Sequence, residues 1–309
     1  MKTITLSIIC AVCFFFISCH NEPGIIDHKI SKSGLEILES DYTGINFSNT
    51  LKDDPLTDKN IVSFEYYFNG AGVGVADFNN DGLQDIFFAG NEVPNELYIN
   101  KGSLKFGKLD KESGINTNKV WSAGVSIVDI NNDNYKDIYV CQQGPHDKNN
   151  RQNLFYINNK DLTFTESSKV MGLNDHNYST QAAFFDYDKD GDLDCYVMNE
   201  ANPDFEISVE DASGKLFENT GNLKFVDVTK KAGVLNYGYG LGLNISDFNG
   251  DNYPDIYVAN DYNIPDFLYI NQKNGTFRES IKEYTRQISY FGMGCDVADI
   301  NNDGLVDIG

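Results

Sequence analysis

The stretch DFNNDGLQDI (residues 77–86) crowds Asp77, Asn79, Asp81 and Asp85 around Gly82 and then runs into the apolar segment IFF. Near copies follow: DINNDNYKDI from 129, DYDKDGDLDC from 186, DFNGDNYPDI from 247 and DINNDGLVDI from 299. Counted from the first aspartate of each copy, the spacings are 52, 57, 61 and 52 residues. A period of that size marks an array of supersecondary units, so the content of one unit decides the fold.

Each acidic loop is preceded by a Gly- or Ala-rich apolar run (AGVGVADF, SAGVSIVDI, QAAFFDY, GLGLNISDF, GMGCDVADI) and followed by a second run such as DIFFAGN or DIYVCQQ. A third run (NELYIN, NLFYIN, KLFEN, DFLYIN) and a fourth (LKFGKL, LTFTES, LKFVDV, GTFRES) complete the unit. Short β-branched and aromatic segments bounded by Asn, Gly and Asp read as strands, and four per unit make a propeller blade. The expected fold is therefore all-β: a β-propeller of four-stranded blades with calcium loops between the first and second strands. Within this chain it amounts to four blades plus the start of a fifth. The Gly-rich first strands belong innermost, where neighbouring backbones crowd the axis. LEILESDYTGI, from Leu35, resembles the fourth strand and exit turn of later units, LKFGKLDKESGI. It is expected to act as a ring-closing outer strand.

The loop chemistry points to a hard cation. Calcium takes six to eight oxygens at about 2.3–2.6 Å. In a tight loop the side chains at positions 1, 3 and 5 converge, a left-handed residue at position 6 turns the chain, the carbonyl at 7 points inward and the side chain at 9 closes the cage. The first copy supplies Asp77, Asn79, Asp81, the Leu83 carbonyl and Asp85; the second Asp129, Asn131, Asp133, the Tyr135 carbonyl and Asp137. The third supplies Asp186, Asp188, Asp190, the Asp192 carbonyl and Asp194; the fourth Asp247, Asn249, Asp251, the Tyr253 carbonyl and Asp255; the fifth Asp299, Asn301, Asp303, the Leu305 carbonyl and Asp307. Position 6 is only Gly or Asn, the residues that best tolerate the left-handed region. An EF-hand would need Glu at position 12, where Phe88, Val140, Val197 and Val258 stand. Plain Asx turns would not repeatedly gather carboxylates that repel by about 3 kcal/mol per pair at roughly 5 Å and an effective dielectric near 20. Up to five Ca²⁺ sites are expected. Magnesium fits less well because it retains its water. Five dications would move the formal charge from −22 to −12. The all-Asp third loop is expected to bind most tightly and to be the least stable when empty. Five repeats of one closed cage suit a structural role better than a catalytic one, and no catalytic residue is assigned.

Composition and termini set the context. With 41% apolar and 13% aromatic residues the chain can bury a core, and its −22 charge disfavours nucleic acid as a partner. Residues 1–18 read as a signal peptide: Lys2, then an apolar run over residues 4–17 too short to span a bilayer comfortably, then Ser18. FISC (16–19) resembles a bacterial lipobox with an unusual Phe16, making Cys19 the expected lipidation site; ordinary secretion or an uncleaved anchor are the alternatives. Residues 19–34 are then a lipidated tether, 35–68 an N-terminal strand region and 69–309 the repeats. An extracytoplasmic outer-membrane lipoprotein, facing the periplasm or the cell surface, is expected. Membrane contact would be through the lipid anchor alone. Cys141, Cys195 and Cys295 lie in apolar runs as small hydrophobes and suggest no disulfide framework.

The motif D-x-[DN]-x-D-[GN]-x-x-D, the preceding Gly-rich strand and the following N-x-L-Y-x-N element resemble the FG-GAP/VCBS calcium-binding repeats, over about residues 60–309. With the lipobox and GINFSNTL, the chain is similar to the N-terminal part of Bacteroidetes-type lipoproteins that carry a downstream ASPIC/UnbV domain. That resemblance implies a propeller with calcium loops on one face and interaction loops on the other.

On that opposite, upper face, Trp121, Tyr178, Tyr239 and Phe291 stand eight residues before the loop aspartates, with Phe68 one place further back in the first copy. They are candidates to stack on a sugar or to plug the blade ends. The upper loops 141–153 and 199–214 are the stronger candidates for partner recognition. His146 and His176 fall in such loops without a nucleophile beside them. The functional expectation is a non-enzymatic binding module for protein or glycan. The alternatives are a polysaccharide-active, lyase-like enzyme and a spacer for downstream domains.

Overall fold

The apolar runs around each acidic loop pair with one another as antiparallel strands. A computed structural model describes residues 35–57, 59–115, 121–144, 151–201 and 207–309, and divides the chain into two units, Met1–Glu39 and Ser40–Gly309. In the first, the described residues 35–39 are exposed and carry no regular structure. The second opens with a helical turn, α1 (Ser40–Thr43).

Four antiparallel sheets follow, each a simple meander of four strands. Blade 1 is β1 (Val73–Ala76), β2 (Asp85–Phe88), β3 (Glu96–Asn100) and β4 (Phe106–Lys108). Blade 2 is β5 (Ser122–Val128), β6 (Asp137–Gln142), β7 (Leu154–Asn158) and β8 (Phe164–Glu166). Blade 3 is β9 (Ser179–Phe185), β10 (Asp194–Asn199), β11 (Lys215–Asn219) and β12 (Phe225–Asp227). Blade 4 is β13 (Gly240–Ser246), β14 (Asp255–Asn260), β15 (Phe267–Asn271) and β16 (Phe277–Glu279). A two-stranded start of the fifth unit, β17 (Val297–Ala298) and β18 (Asp307–Ile308), ends the chain. The register repeats: Ala76 faces Asp85, Val128 faces Asp137, Phe185 faces Asp194 and Ser246 faces Asp255. Every acidic loop therefore spans the same first hairpin.

First strands of successive blades adjoin one another, β1 with β5, β5 with β9 and β9 with β13, as the innermost strands of a propeller do. Their small residues have a steric reason: a Cβ on Gly124 would lie 2.4 Å from the Thr180 carbonyl oxygen of the next blade. Apolar cores fill the spaces between blades. Phe87, Leu97, Ile138 and Tyr156 pack between blades 1 and 2, and Tyr139, Phe155, Val197 and Phe217 between blades 2 and 3. Tyr196, Leu216, Ile256 and Tyr269 fill the space between blades 3 and 4. Cys141 and Cys195 are fully buried in the second of these cores, as small apolar residues, and Cys295 is half-buried; all three are free thiols.

The expectation for LEILESDYTGI splits in two. Residues 35–39 form no strand, but α1 and Gly44 reproduce the exit turn. Gly44 has φ +78° and its Cβ would meet the Phe106 carbonyl oxygen at 2.6 Å. Gly114 (φ +81°) meets Phe164 of the following blade in the same way. A left-handed residue pressed on a neighbouring backbone admits only glycine. Among the described residues no helix is long and apolar enough to cross a membrane. Cys19 and the signal segment lie outside the described residues.

Candidate metal centre

The acidic loops, numbered 1 to 5 in chain order, share one hydrogen-bond scheme, which follows from where the carboxylates stand. In loop 1, Asp77 Oδ1 accepts the Asp81 N–H at 3.1 Å and Oδ2 accepts the Gly82 N–H at 2.7 Å. Asp129, Asp186, Asp247 and Asp299 do the same in the other loops. Position 6 is left-handed in all five, at Gly82, Asn134, Gly191, Asn252 and Gly304, as its residue types require. Position 4 is left-handed as well (Asn80, Asn132, Lys189, Gly250, Asn302), a second sharp bend that the sequence pattern does not reveal.

The aspartate at position 9 differs from the others. Asp85, Asp137, Asp194 and Asp255 are at most 1% exposed, whereas Asp81 and Asp190 face solvent. Each buried carboxylate accepts two backbone N–H groups. Asp85 Oδ2 takes Phe78 N (3.0 Å) and its Oδ1 takes Asn100 N (2.8 Å). The same pair of bonds ties Asp137 to Ile130 and Asn158, Asp194 to Tyr187 and Asn219, and Asp255 to Phe248 and Asn271. Burial, opposed by these N–H donors and reinforced by neighbouring aspartates, pushes Asp194 up to about 7 and Asp137 and Asp255 up to about 6. Asp85 shifts in the same direction.

The third-strand asparagines are functional residues that sequence reasoning misses, although the recurring N-x-L-Y-x-N spacing carries them. Asn158 Nδ2 donates to the Lys136 carbonyl and, at 2.9 Å, to the Phe78 carbonyl of blade 1. Asn271 Nδ2 likewise reaches the Pro254 carbonyl and, at 2.8 Å, the Tyr187 carbonyl of blade 3. One side chain thus ties the loop of its own blade to the loop of the blade before it.

The donor set suits a hard cation: it is all oxygen, arranged on a left-handed turn, with one carboxylate held in place by the sheet. In loop 3, ligand oxygens of Asp186, Asp188 and Asp194 lie within 4.8 Å of one another. Loops 1, 2, 4 and 5 carry Asn at position 3, whose amide donates to the position 5 carboxylate, as Asn79 does to Asp81 at 2.9 Å. An ion would take the amide oxygen in place of that contact. Asp190, Asp192, Leu83, Tyr135, Tyr253 and Leu305 occupy the loop positions assigned to them.

The upper-face aromatics, candidates for sugar platforms or blade plugs, divide between buried and accessible positions. Trp121 is 1% exposed, enclosed by Phe64 and Tyr67, and Tyr178 is covered by the Arg151 guanidinium 3.8 Å from its ring centre. Neither offers a face to a ligand. Half-buried Tyr239 packs at a tilt on Tyr262 (4.6 Å), which packs likewise on exposed Phe291 (6.1 Å). The position fourteen residues past each first loop aspartate lies just beyond the second strand and holds Asn91, Gln143, Glu200 and Asp261. The Gln143 amide donates to Glu200 Oε1, Glu200 Oε2 finds no hydrogen-bond partner among the described residues, and Tyr66 donates to Asp261 at 2.9 Å. Burial holds the Glu200 carboxyl well above the usual range. Gln143, Ala71, Ala123, Thr180 and Leu241 line a cavity of about 210 Å³ between the innermost strands. His176 is half-buried beside Asn174. His146 and parts of both long upper loops (145–150 and 202–206) lie outside the described residues.

The chain is similar to several known proteins. Cartilage acidic protein 1 of Mus musculus is 27% identical over 263 residues, covering 77% of this chain and 39% of that protein. The Xenopus tropicalis protein of the same name is 25% identical over 236 residues, covering 72% of this chain and 33% of its own length. The chain thus spans well under half of each relative. Among solved structures, an Agrocybe aegerita lectin described as recognising non-reducing terminal N-acetylglucosamine is 18% identical, with a TM-score of 0.44 over 76% of this chain and 59% of the lectin. The V. cholerae biofilm matrix protein Bap1 is 16% identical, with a TM-score of 0.39 over 77% of this chain and 34% of its own. The FG-GAP-like repeat profile matches residues 50–140, 144–197 and 247–309, three segments that together contain all of the acidic loops. By that match, which covers most of its length, the chain belongs to the FG-GAP-like repeat family.

Proposed function

We propose that this chain is a calcium-stabilised, propeller-type binding module that presents its upper loops to a protein or glycan partner. The observation that carries the reading is the convergence of Asp186, Asp188 and Asp194 on a left-handed turn, together with the same loop scaffold in every repeat. In that role the cation would neutralise carboxylates that crowd the first hairpin of each blade. The chain's own residues do the rest. Position 9 fixes the hairpin to strand three, and the asparagine of strand three fixes it to the neighbouring blade. Tyr239, Tyr262 and Gln143 on the upper rim, with the flanking loops 141–153 and 199–214, form the recognition surface in this proposal. The signal-like segment and Cys19 fit an extracytoplasmic, lipid-tethered location.

A glycan array and a surface-protein pull-down, each run with calcium and with chelator, test the binding role. Saturable, calcium-dependent capture of a defined glycan or protein that is lost on Tyr239→Ala supports it. Absence of any calcium-dependent ligand in both assays overturns it.

A further inference from the structure

Loops 2 and 4 differ from loops 1 and 3 in one respect that the motif does not encode. The turn after strand three places Lys160 beside loop 2 and Lys273 beside loop 4. Lys160 Nζ lies 3.2 Å from Asp133 Oδ2 and 5.6 Å from the Tyr135 ring centre. Lys273 Nζ lies 3.4 Å from Asp251 Oδ2, 3.5 Å from the Asp251 carbonyl oxygen and 5.4 Å from the Tyr253 ring centre. Lys189, from loop 3, adds a second ammonium 4.6 Å from the Tyr253 ring. Asp133 and Asp251 hold position 5 of their cages, so an ammonium stands where the ion would draw on the same oxygens.

The backbone shows that this placement is unusual. Lys160 (φ +72°) and Lys273 (φ +61°) are left-handed, held by N–H bonds to the Asn158 and Asn271 side chains. Blades 1 and 3 have Gly102 and Gly221 at the matching position, with the same φ sign and the same bond to Asn100 and Asn219. A turn that glycine fills without strain carries a long cationic side chain in blades 2 and 4 only, although its Cβ there crowds the following carbonyl. Among the described residues no Lys, Arg or His forms an ion pair with Asp77, Asp81 or Asp85 of loop 1, or with Asp186, Asp188, Asp190 or Asp194 of loop 3.

We propose that Lys160 and Lys273 are built-in counter-ions that lower the cation affinity of loops 2 and 4, dividing the sites into a tight class (loops 1 and 3) and a weak class (loops 2 and 4). The inference rests on the calcium reading above. It predicts that a falling calcium level empties alternate blades first, while the ammonium groups keep the emptied loops partly neutralised.

The loops can be told apart spectroscopically. Position 7 is Tyr135 in loop 2 and Tyr253 in loop 4, but Leu83, Asp192 and Leu305 in loops 1, 3 and 5. Tyrosine-sensitised terbium emission therefore weights loops 2 and 4, and a Y135F/Y253F variant measures the background from other tyrosines. In the chelator-stripped chain, K160M/K273M should bind terbium roughly two- to five-fold more tightly in that signal, on the scale of a surface ion pair contested by a multivalent cation. K160R/K273R should match wild type, and the tight phase of a calcium titration should be unchanged in both. A K160M/K273M emission titration that superimposes on wild type, with calcium still bound, overturns the counter-ion proposal alone. Failure of wild type to bind either ion overturns it together with the calcium reading.

Discussion

Replacing Asp85 by Asn separates the two tasks of an acidic loop. Asp85 is fully buried and both of its oxygens accept backbone N–H groups, from Phe78 and Asn100. Asparagine is nearly the same size but keeps one acceptor, so one of those N–H groups must face an NH₂ donor. Leaving a buried N–H unsatisfied costs about 1–3 kcal/mol. Asp81, by contrast, is exposed, accepting from Leu83 N and from the Asn79 amide. In D81N the new amide can keep the Leu83 bond, and when Asn79 turns its own amide to match, the residue 81 N–H it releases still has Asp77 Oδ1 as acceptor. Both variants lose a carboxylate from the same cage. Urea unfolding in chelator should therefore place D85N about 2 kcal/mol below wild type and leave D81N within about 0.5 kcal/mol of it. In saturating calcium both should fall further, because each has lost a ligand. Equal stability of D85N and D81N in chelator would refute the idea that position 9 is a structural clamp independent of the ion.

The raised carboxyls give the metal-free chain an inverted pH response. Folded-state values of about 6 to 7 for Asp137, Asp194 and Asp255 lie above the ordinary aspartate value, so the folded state binds more protons and stability falls as pH rises from about 4 through 7. The loss is on the order of 3–4 kcal/mol per group at the limit, and melting in chelator at pH 5 and pH 7.5 should find the acidic sample more stable. With calcium present the order should reverse, since protons and the ion compete for the same oxygens. Asn158→Ala removes the tie from blade 2 to the Phe78 carbonyl and should cost about 1–2 kcal/mol in urea unfolding, an effect absent if the bond is incidental. Cys19→Ser should abolish incorporation of radiolabelled palmitate in a bacterial host that makes lipoproteins; labelling that persists in the variant would rule out Cys19 as the acylated residue.

Features of this fold that are local in the chain are legible in the sequence itself. DFNNDGLQDI and its copies contain the turn, its left-handed residue and all the loop oxygens within ten residues, so spacing alone places the hairpin. The four-strand unit is legible because β2, β6, β10 and β14 each follow an acidic loop in the same register. The second role of Asp85 is not, because its partner Asn100 lies fifteen residues away on another strand. Trp121 reads as a platform or a plug because it precedes an inner strand. Its burial depends on Phe64 and Tyr67 in a segment without periodicity. Residues 35–39 resemble a strand by pattern, but they carry no regular structure. Lys160 and Lys273 read as ordinary turn lysines, since only the sheet carries them to the acidic loops.

Calorimetric titration of the chelator-stripped chain with CaCl₂, followed by thermal melting with and without the ion, tests the central claim most directly. Saturable binding of more than one calcium per chain is expected, with a melting temperature that rises with occupancy. A flat titration with an unchanged melting temperature would contradict it.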